Sequence, residues 1–269
     1  MIDAFLDLAK KAEAKGQAYA IATVVRTVSV TAAKAGAKAI IDAQGMLVSG
    51  WIGGGCARSA VLCAARDALH DGQPRLVSVQ PEEWLAEHAL KPGEVREGVQ
   101  FARNLCPSKG TMDIFVEPVL PRPQCAVLGS SPVARALVPL AQRMGFFVTV
   151  CAPLADHGGF DSADRLVDGL ACPAGTASDY IVVATQGNGD LKALQGALDQ
   201  TARYIGFVGS RKKFAALKTE LARTGRDVTA MDRIHSPAGL DLGAITPDEI
   251  AFSIVAQLIE IRRRGQRNA

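Results

Sequence analysis

The sequence has no apolar run near the roughly 18 to 20 residues that a membrane-spanning helix needs. It has little aromatic content, 5%, and 4 histidines in 269 residues. The histidines are scattered, so no His/Asp/Glu cluster with metal-ligand spacing can be read. None of the six cysteines, Cys56, Cys63, Cys106, Cys125, Cys151 and Cys172, has a partner at C-x-x-C spacing, which excludes the common zinc and dithiol redox motifs. No Ser-His-Asp set has a readable spacing. The formal charge of +3 is too small to argue for nucleic acid as a partner. The first fifteen residues mix Asp3, Asp7, Lys10 and Lys11 with Phe5, Leu8, Ala9 and Ala12 at helical spacing. That pattern predicts an amphipathic helix instead of a secretory signal, and hence a cytoplasmic protein with reduced thiols.

What is present is a chain that can build a core. Hydrophobic residues make up 48% and charged residues 21%. The segment Leu120–Gln124 carries two prolines in five residues and predicts a linker. It would separate a domain over 1–120 from one over 125–269. In the first, strands are expected at "YAIATVVRTVSV", at "AKAIIDAQGMLVSGWI" with a turn at Ala43–Gly45, at "PRLVSVQ" and at "TMDIFVEPV". A helix is expected from Cys56 to His70, and residues 81–105 read as polar and irregular. In the second, short apolar strands ("CAVLG", "FFVTVCA", "YIVVAT", "YIGFVGS") alternate with helices. That rhythm predicts a parallel sheet covered on both faces. A final helix is expected over Pro247–Arg262, capped by Thr246, with Asp248 and Glu249 in its first turn. The fold class is therefore α/β: an α+β domain followed by a Rossmann-like domain.

Three strand–glycine–helix junctions stand out, because the first N–H groups of a helix lack partners and attract anions. The first is Gly53-Gly54-Gly55-Cys56. A cysteine at a helix N-terminus gains thiolate character. Ala60 and Cys63 share its helical face, so the pattern leaves two readings open: a ligand loop, or a tight turn with Cys56 and Cys63 in the core. The second junction, Gly129-Ser130-Ser131, follows a strand and opens a helix, as a dinucleotide fingerprint does. It lacks the second glycine, and Cys151 stands where an acid would follow the next strand. The third is Gly209-Ser210-Arg211-Lys212-Lys213, where cations oppose the helix dipole unless an anion sits between them. Two loops add candidates: "ATQGNGD", with Thr185 and Gly187, and the segment from Arg233 to Glu249, with His235 and Asp241. Cys106 lies in a polar loop.

Taken together, these residues resemble the XdhC/CoxF family of molybdenum-enzyme maturation factors. The resemblance covers almost the whole chain. It is carried by Gly53-Gly54-Gly55-Cys56, by "YIGFVGSRKK" from Tyr204 and by "RIHSPAGLDLGAITPDEIAFSIVAQLI" from Arg233, with "GAKAII" and "DIFVEP" fitting the XdhC/CoxI-type first domain. It implies binding of the molybdenum cofactor, as molybdopterin or its cytosine dinucleotide, with help in its sulfuration and delivery to an apo-molybdoenzyme such as xanthine or carbon monoxide dehydrogenase. A cysteine desulfurase as sulfur donor and a homodimer fit the same resemblance. It points to Gly53, Gly54, Gly55, Gly129, Ser130, Ser131, Thr185, Gly187, Gly209, Ser210, Arg211, Lys212, His235 and Asp241 for cofactor contact. On this reading Cys56 and Cys106 are expected to handle sulfur, with Cys56 expected as the metal ligand. Whether the protein is itself an enzyme is left open. An NAD(P)-dependent oxidoreductase on the Rossmann-like domain is the alternative. The chain departs from the family pattern at Ser29, Val30, Ala32 and Ala33, which replace Gly-Ser-x-Pro-Arg, and at Arg58, where many members carry Glu. Gln186 and Asn188 replace histidines, and this loop resembles the CoxF-type branch, which implies carbon monoxide dehydrogenase as the client.

Overall fold

The computed structural model describes residues 7–12, 16–107, 109–172, 178–225 and 228–264. Residues 7–12 are helical. Phe5, one of the apolar positions that predicted this helix, lies outside the described residues. The chain forms two units, Met1–Pro121 and Arg122–Ala269.

The first unit is built on a seven-stranded sheet. Its strands are β1 (Tyr19–Val28), β2 (Lys38–Asp42), β3 (Leu47–Gly50), β4 (Arg75–Pro81), β5 (Val95–Arg96), β6 (Val99–Asn104) and β7 (Thr111–Val119), in the order β3-β2-β1-β7-β4-β6-β5. All neighbours are antiparallel except β4 and β6. Alternation decides which face is covered. Ala20, Ala22 and Val24 of β1, Val77 and Val79 of β4, and Met112, Ile114 and Val116 of β7 all point to one buried layer. The helix α1 (Gly55–Asp71) lies on that layer through Ala57, Val61, Ala64, Ala65 and Ala68. Four alanines in five buried positions let the helix backbone approach the sheet closely. Gly72 in the left-handed region ends the helix. On the other side of the strands, Ser78 and Gln80 are buried but not orphaned. Thr111 donates to Gln80, Gln80 to Ser78 and Ser78 to Asp113, and Asp113 also accepts from Arg26. Along this chain of bonds both buried side chains, Ser78 and Gln80, are satisfied.

Residues 81–105, expected to be irregular, contain the helix α2 (Glu82–Glu87), β5 and β6. The physical reason is tertiary. β6 alternates weakly in polarity, yet it pairs over its whole length with β4, and Trp84 stacks on both His88 and Phe101. Backbone pairing and one aromatic cluster override a composition that reads as loop.

The second unit is a six-stranded, fully parallel sheet of β8 (Gln124–Leu128), β9 (Phe147–Ala152), β10 (Arg165–Asp168), β11 (Tyr180–Val183), β12 (Tyr204–Phe207) and β13 (Ile234–His235). The order is β10-β9-β8-β11-β12-β13. The short edge strands β10 and β13 carry no strong sequence signal. Helices α3 (Pro132–Arg143) and α7 (Pro247–Arg263) cover one face with Leu137, Val138, Ala251, Ile254 and Leu258. Helices α4 (Asp190–Leu198) and α5 (Arg211–Arg223) cover the other with Ala193, Leu194 and Leu221. A short helix α6 (Val228–Met231) precedes β13. Thr246 and Glu249 form a reciprocal capping box at the start of α7. The result is a mixed α/β molecule whose second unit is a doubly covered parallel sheet.

Candidate functional site

The first junction opens into a cavity of about 250 Å3 in the first unit. Its wall includes Gly54, Gly55 and Cys56 at the start of α1, and Asn104, Leu105 and Cys106 from the loop after β6. Thus both sulfur residues singled out from the sequence border one space, although 50 positions separate them. Cys56 is half-buried and Cys106 exposed, and none of the six cysteines is joined in a disulfide. Cys63 is exposed and takes no part in this wall, so the reading that put Cys56 and Cys63 in the core does not hold.

The three glycines differ in role. Gly53 is buried with φ at +110°, and a Cβ there would sit 3.0 Å from the Met112 side chain. Its backbone shape requires glycine. Gly54 and Gly55 have ordinary φ, are exposed, and would meet nothing within 4 Å. Nothing in the chain requires glycine at either position. Gly54 is the N-cap and offers no side-chain acceptor, so the first-turn N–H groups of α1 face the cavity without an internal cap. No acidic residue stands in that turn.

Another part of the lining is held by Asn104, which the sequence pattern does not single out. Its Oδ1 accepts the Cys106 backbone N–H at 2.9 Å, and its Nδ2 donates to the Gly110 carbonyl at 2.6 Å. Gly110 in turn crosses Val30 so closely that a Cβ would lie 2.2 Å from the Val30 carbonyl oxygen. Ser29, just before it, has φ at +64°. The segment Val30–Ala32 lines the cavity, and Ala33, which follows it, is buried. Val30 is 69% and Leu105 61% exposed, which gives the mouth an apolar rim.

In the second unit the candidates gather at the C-terminal ends of β8, β11 and β12, the edge where open α/β sheets take ligands. Ser131 and Gln186 line a cavity of about 300 Å3 with Val208 and Ile250. A neighbouring cavity of about 580 Å3 shares Val208 and Ile250 and adds Gly209, Ser210, Arg211 and Asp241. The second junction is less open than its sequence suggests. Gly129 has φ at +112°, and a Cβ would sit 2.6 Å from the Ala184 carbonyl oxygen, so this glycine serves strand packing. Ser130 donates to Asp156 at 2.8 Å. Ser131 caps the helix by accepting from the Ala134 N–H, and Pro132 has no N–H to offer. A phosphate here would meet few donors and the Asp156 carboxylate.

At the third junction, Lys213 does not wait for an external anion. Its Nζ lies 2.6 Å from the Asp190 carboxylate, whose side chain is 7% exposed. Asp190 also accepts from Thr185 and from the Gly187 N–H. Burial pushes the Asp190 carboxyl up, and the bonds from Lys213, Thr185 and Gly187 outweigh it, so the group titrates below the usual range. Thr185 is buried and Gly187 exposed, and both are tied to Asp190 without bordering either cavity. Arg211 remains on the cavity wall, whereas Lys212 is exposed and outside it. His235 does not border these cavities either. It stacks on Tyr204 at 4.9 Å, and burial with the Arg264 charge lowers its pKa. Cys151 and Cys172 form a buried hydrogen-bonded thiol pair, with Ser178 donating to Cys172, which lowers Cys172 and raises Cys151. No group of three or more His, Cys, Asp or Glu side chains among the described residues is arranged to hold a metal ion. No described helix is long and apolar enough to cross a membrane.

Comparison with known proteins places these units. The model of the XdhC and CoxI family matches residues 12–80, and that of the XdhC Rossmann domain matches residues 125–258. The chain is 26% identical over 266 residues to the uncharacterized protein YqeB of Escherichia coli (strain K12), covering 96% of this chain and 46% of that one. It is 30% identical over 165 residues to a probable xanthine dehydrogenase subunit of Bacillus subtilis (strain 168), covering 57% and 47%. The chain thus spans about half the length of the curated relatives it matches. A crystal structure named a xanthine dehydrogenase, from Bacillus halodurans, aligns over 96% of each chain with 19% identity and a TM-score of 0.47. With both halves matched by their own models in the same order, the chain belongs to the XdhC family.

Proposed function

We propose that this protein carries the molybdenum cofactor and assists its sulfuration and insertion into a molybdoenzyme of the xanthine dehydrogenase type. The observation that carries this reading is the cavity in the first unit, where two thiols and an uncapped helix N-terminus share one wall system. The cofactor is cargo here. It brings an anionic phosphate and a thiophilic metal held by a dithiolene. The residues fit those needs. Helix N–H groups attract the anion, Gly54 and Gly55 leave room for close approach, and thiolate is the soft ligand such a metal takes. Cys56 holds the metal centre, and Cys106 takes part in sulfur handling. In the second unit, the start of α5 with Arg211 suits a phosphate or the nucleotide end of a cytosine dinucleotide form.

The curated relative named for xanthine dehydrogenase favours that enzyme class as client. The "ATQGNGD" loop favours carbon monoxide dehydrogenase within it. A cysteine desulfurase as donor, a homodimer and a cytoplasmic location complete the proposal. A nicotinamide-dependent oxidoreductase is the weaker reading, because Ser130 and Ser131 are both engaged in internal bonds and Asp156 repels pyrophosphate.

The test is purification without oxygen from cells with an active cofactor pathway, followed by molybdenum and pterin analysis. Wild type should carry both, and Cys56→Ala should lose most of the molybdenum. Wild type with neither would overturn the proposal.

A further inference from the structure

Two thiols on one cavity wall system are more than a metal ligand needs. A single thiolate would suffice to hold cargo. Cys56 sits on a rigid helix start and is half-buried, whereas Cys106 sits on a loop and is exposed. The loop is pinned by Asn104 at both ends, which keeps Cys106 at the cavity instead of in open solvent. Exposure differs between the two thiols in the sense a relay needs: the exposed Cys106 can meet a large donor, and Cys56 is half-buried on the same cavity.

Sulfur chemistry supplies the reason for a pair. Biological sulfur arrives as sulfane sulfur on a persulfide, and a sulfido ligand needs sulfide, which is two electrons more reduced. We propose that Cys106 accepts sulfane sulfur from a protein or small-molecule persulfide and that Cys56 reduces it to sulfide inside the cavity. The inference rests on the cofactor-carrier reading for its purpose, but its chemistry does not need the cofactor.

In the first step the Cys106 thiolate attacks the outer sulfur of the donor persulfide. The donor S–S bond breaks, a Cys106 persulfide forms, and the donor leaves as a thiolate. In the second step the Cys56 thiolate attacks the inner sulfur, the Sγ of Cys106. The Cys106 S–S bond to the outer sulfur breaks, a Cys56–Cys106 disulfide forms, and the outer sulfur leaves as hydrosulfide. The two thiols are oxidised by two electrons and the sulfane sulfur is reduced by two. A dithiol reductant of the thioredoxin class then restores both thiols. The apolar rim of Val30 and Leu105 suits this sequence, since it slows escape of a small anion through the mouth.

The experiment uses the full-length, reduced protein without cofactor and glutathione persulfide as the probe, under anaerobic conditions. Sulfide is measured by colorimetry and the modified cysteines by peptide mass spectrometry. Wild type should release sulfide and show a Cys56–Cys106 disulfide. Cys56→Ser should retain one added sulfur on Cys106 and release sulfide roughly tenfold more slowly or less. Cys106→Ser should show neither capture in the cavity nor the disulfide. Cys63→Ser, which alters an exposed thiol outside the cavity, should behave as wild type. The proposal is overturned if Cys56→Ser releases sulfide at the wild-type rate, or if Cys63 takes up sulfur as readily as Cys106. Relay chemistry in a protein that never carries molybdenum would sink the carrier reading alone. Molybdenum binding without sulfide release would sink the relay alone.

Discussion

Single residues here are fixed by different physics even where they look alike. Gly53 and Gly129 both have positive φ, and at Gly129 the neighbouring backbone also forbids a side chain, while Gly54 and Gly55 have neither constraint. Gly129→Ala is therefore expected to be destabilising, through both an unfavourable φ and a clash with the Ala184 carbonyl. The loss should be roughly 2 kcal/mol or more, read as a shift in the urea midpoint with an unchanged slope. A variant as stable as wild type would show that the β8 end relaxes at no cost. Ser29 is the converse case, a non-glycine residue held at positive φ beside the cavity, where the family pattern has glycine. Arg58 stays exposed on α1, just beyond the first turn, and adds positive charge near an end that already attracts anions.

At the scale of elements, the Asp190 carboxylate joins the loop after β11 to the starts of α4 and α5 by bonds from Thr185, Gly187 and Lys213. Its folded pKa is depressed, so its stabilisation is present above the unfolded value of about 3.9 and is lost as pH falls through the folded value. Asp190→Asn should cost about 2 kcal/mol near neutral pH and flatten the fall in stability below about pH 4. Denaturant unfolding across pH 3 to 7 would show it; parallel curves for the two proteins would refute it. The sequence made this junction visible as a basic turn needing an anion, but the anion is 23 positions before Lys213, and only the parallel pairing of β11 with β12 brings them near. The same limit explains the rest of the reading. Strands and helices with strong periodicity, such as β1, α1 and α7, were legible from local pattern. α2 and β6 were not, because their order comes from β4 and from the stack of Trp84 on Phe101 and His88. Cys56 and Cys106 could each be picked out, while their shared cavity and the Asn104 clasp depend on long-range closure.

For the whole molecule, each unit carries its own buried layer: one under α1, the other on both faces of a parallel sheet. A unit with a complete core can fold by itself. Residues 122–269 expressed alone are expected to melt in one cooperative transition with near-ultraviolet circular dichroism intact. A fragment lacking tertiary signal would show that the Rossmann unit depends on the first. The division also separates the candidate sites. Thiols on a cavity wall belong to the first unit, and the ligand-facing edge of a parallel sheet belongs to the second.

The unoccupied cap of α1 has one more consequence. At Gly54 the backbone is extended and the space around a Cβ is open, so serine or aspartate would fit and would cap the helix from within. An engineer screening only for heat resistance would choose that change early. It would also silence the donors that face the cavity. On the proposed function, melting temperature and cargo affinity pull this one position in opposite directions, because the N–H groups that a new side chain would cap are the ones left for an external anion.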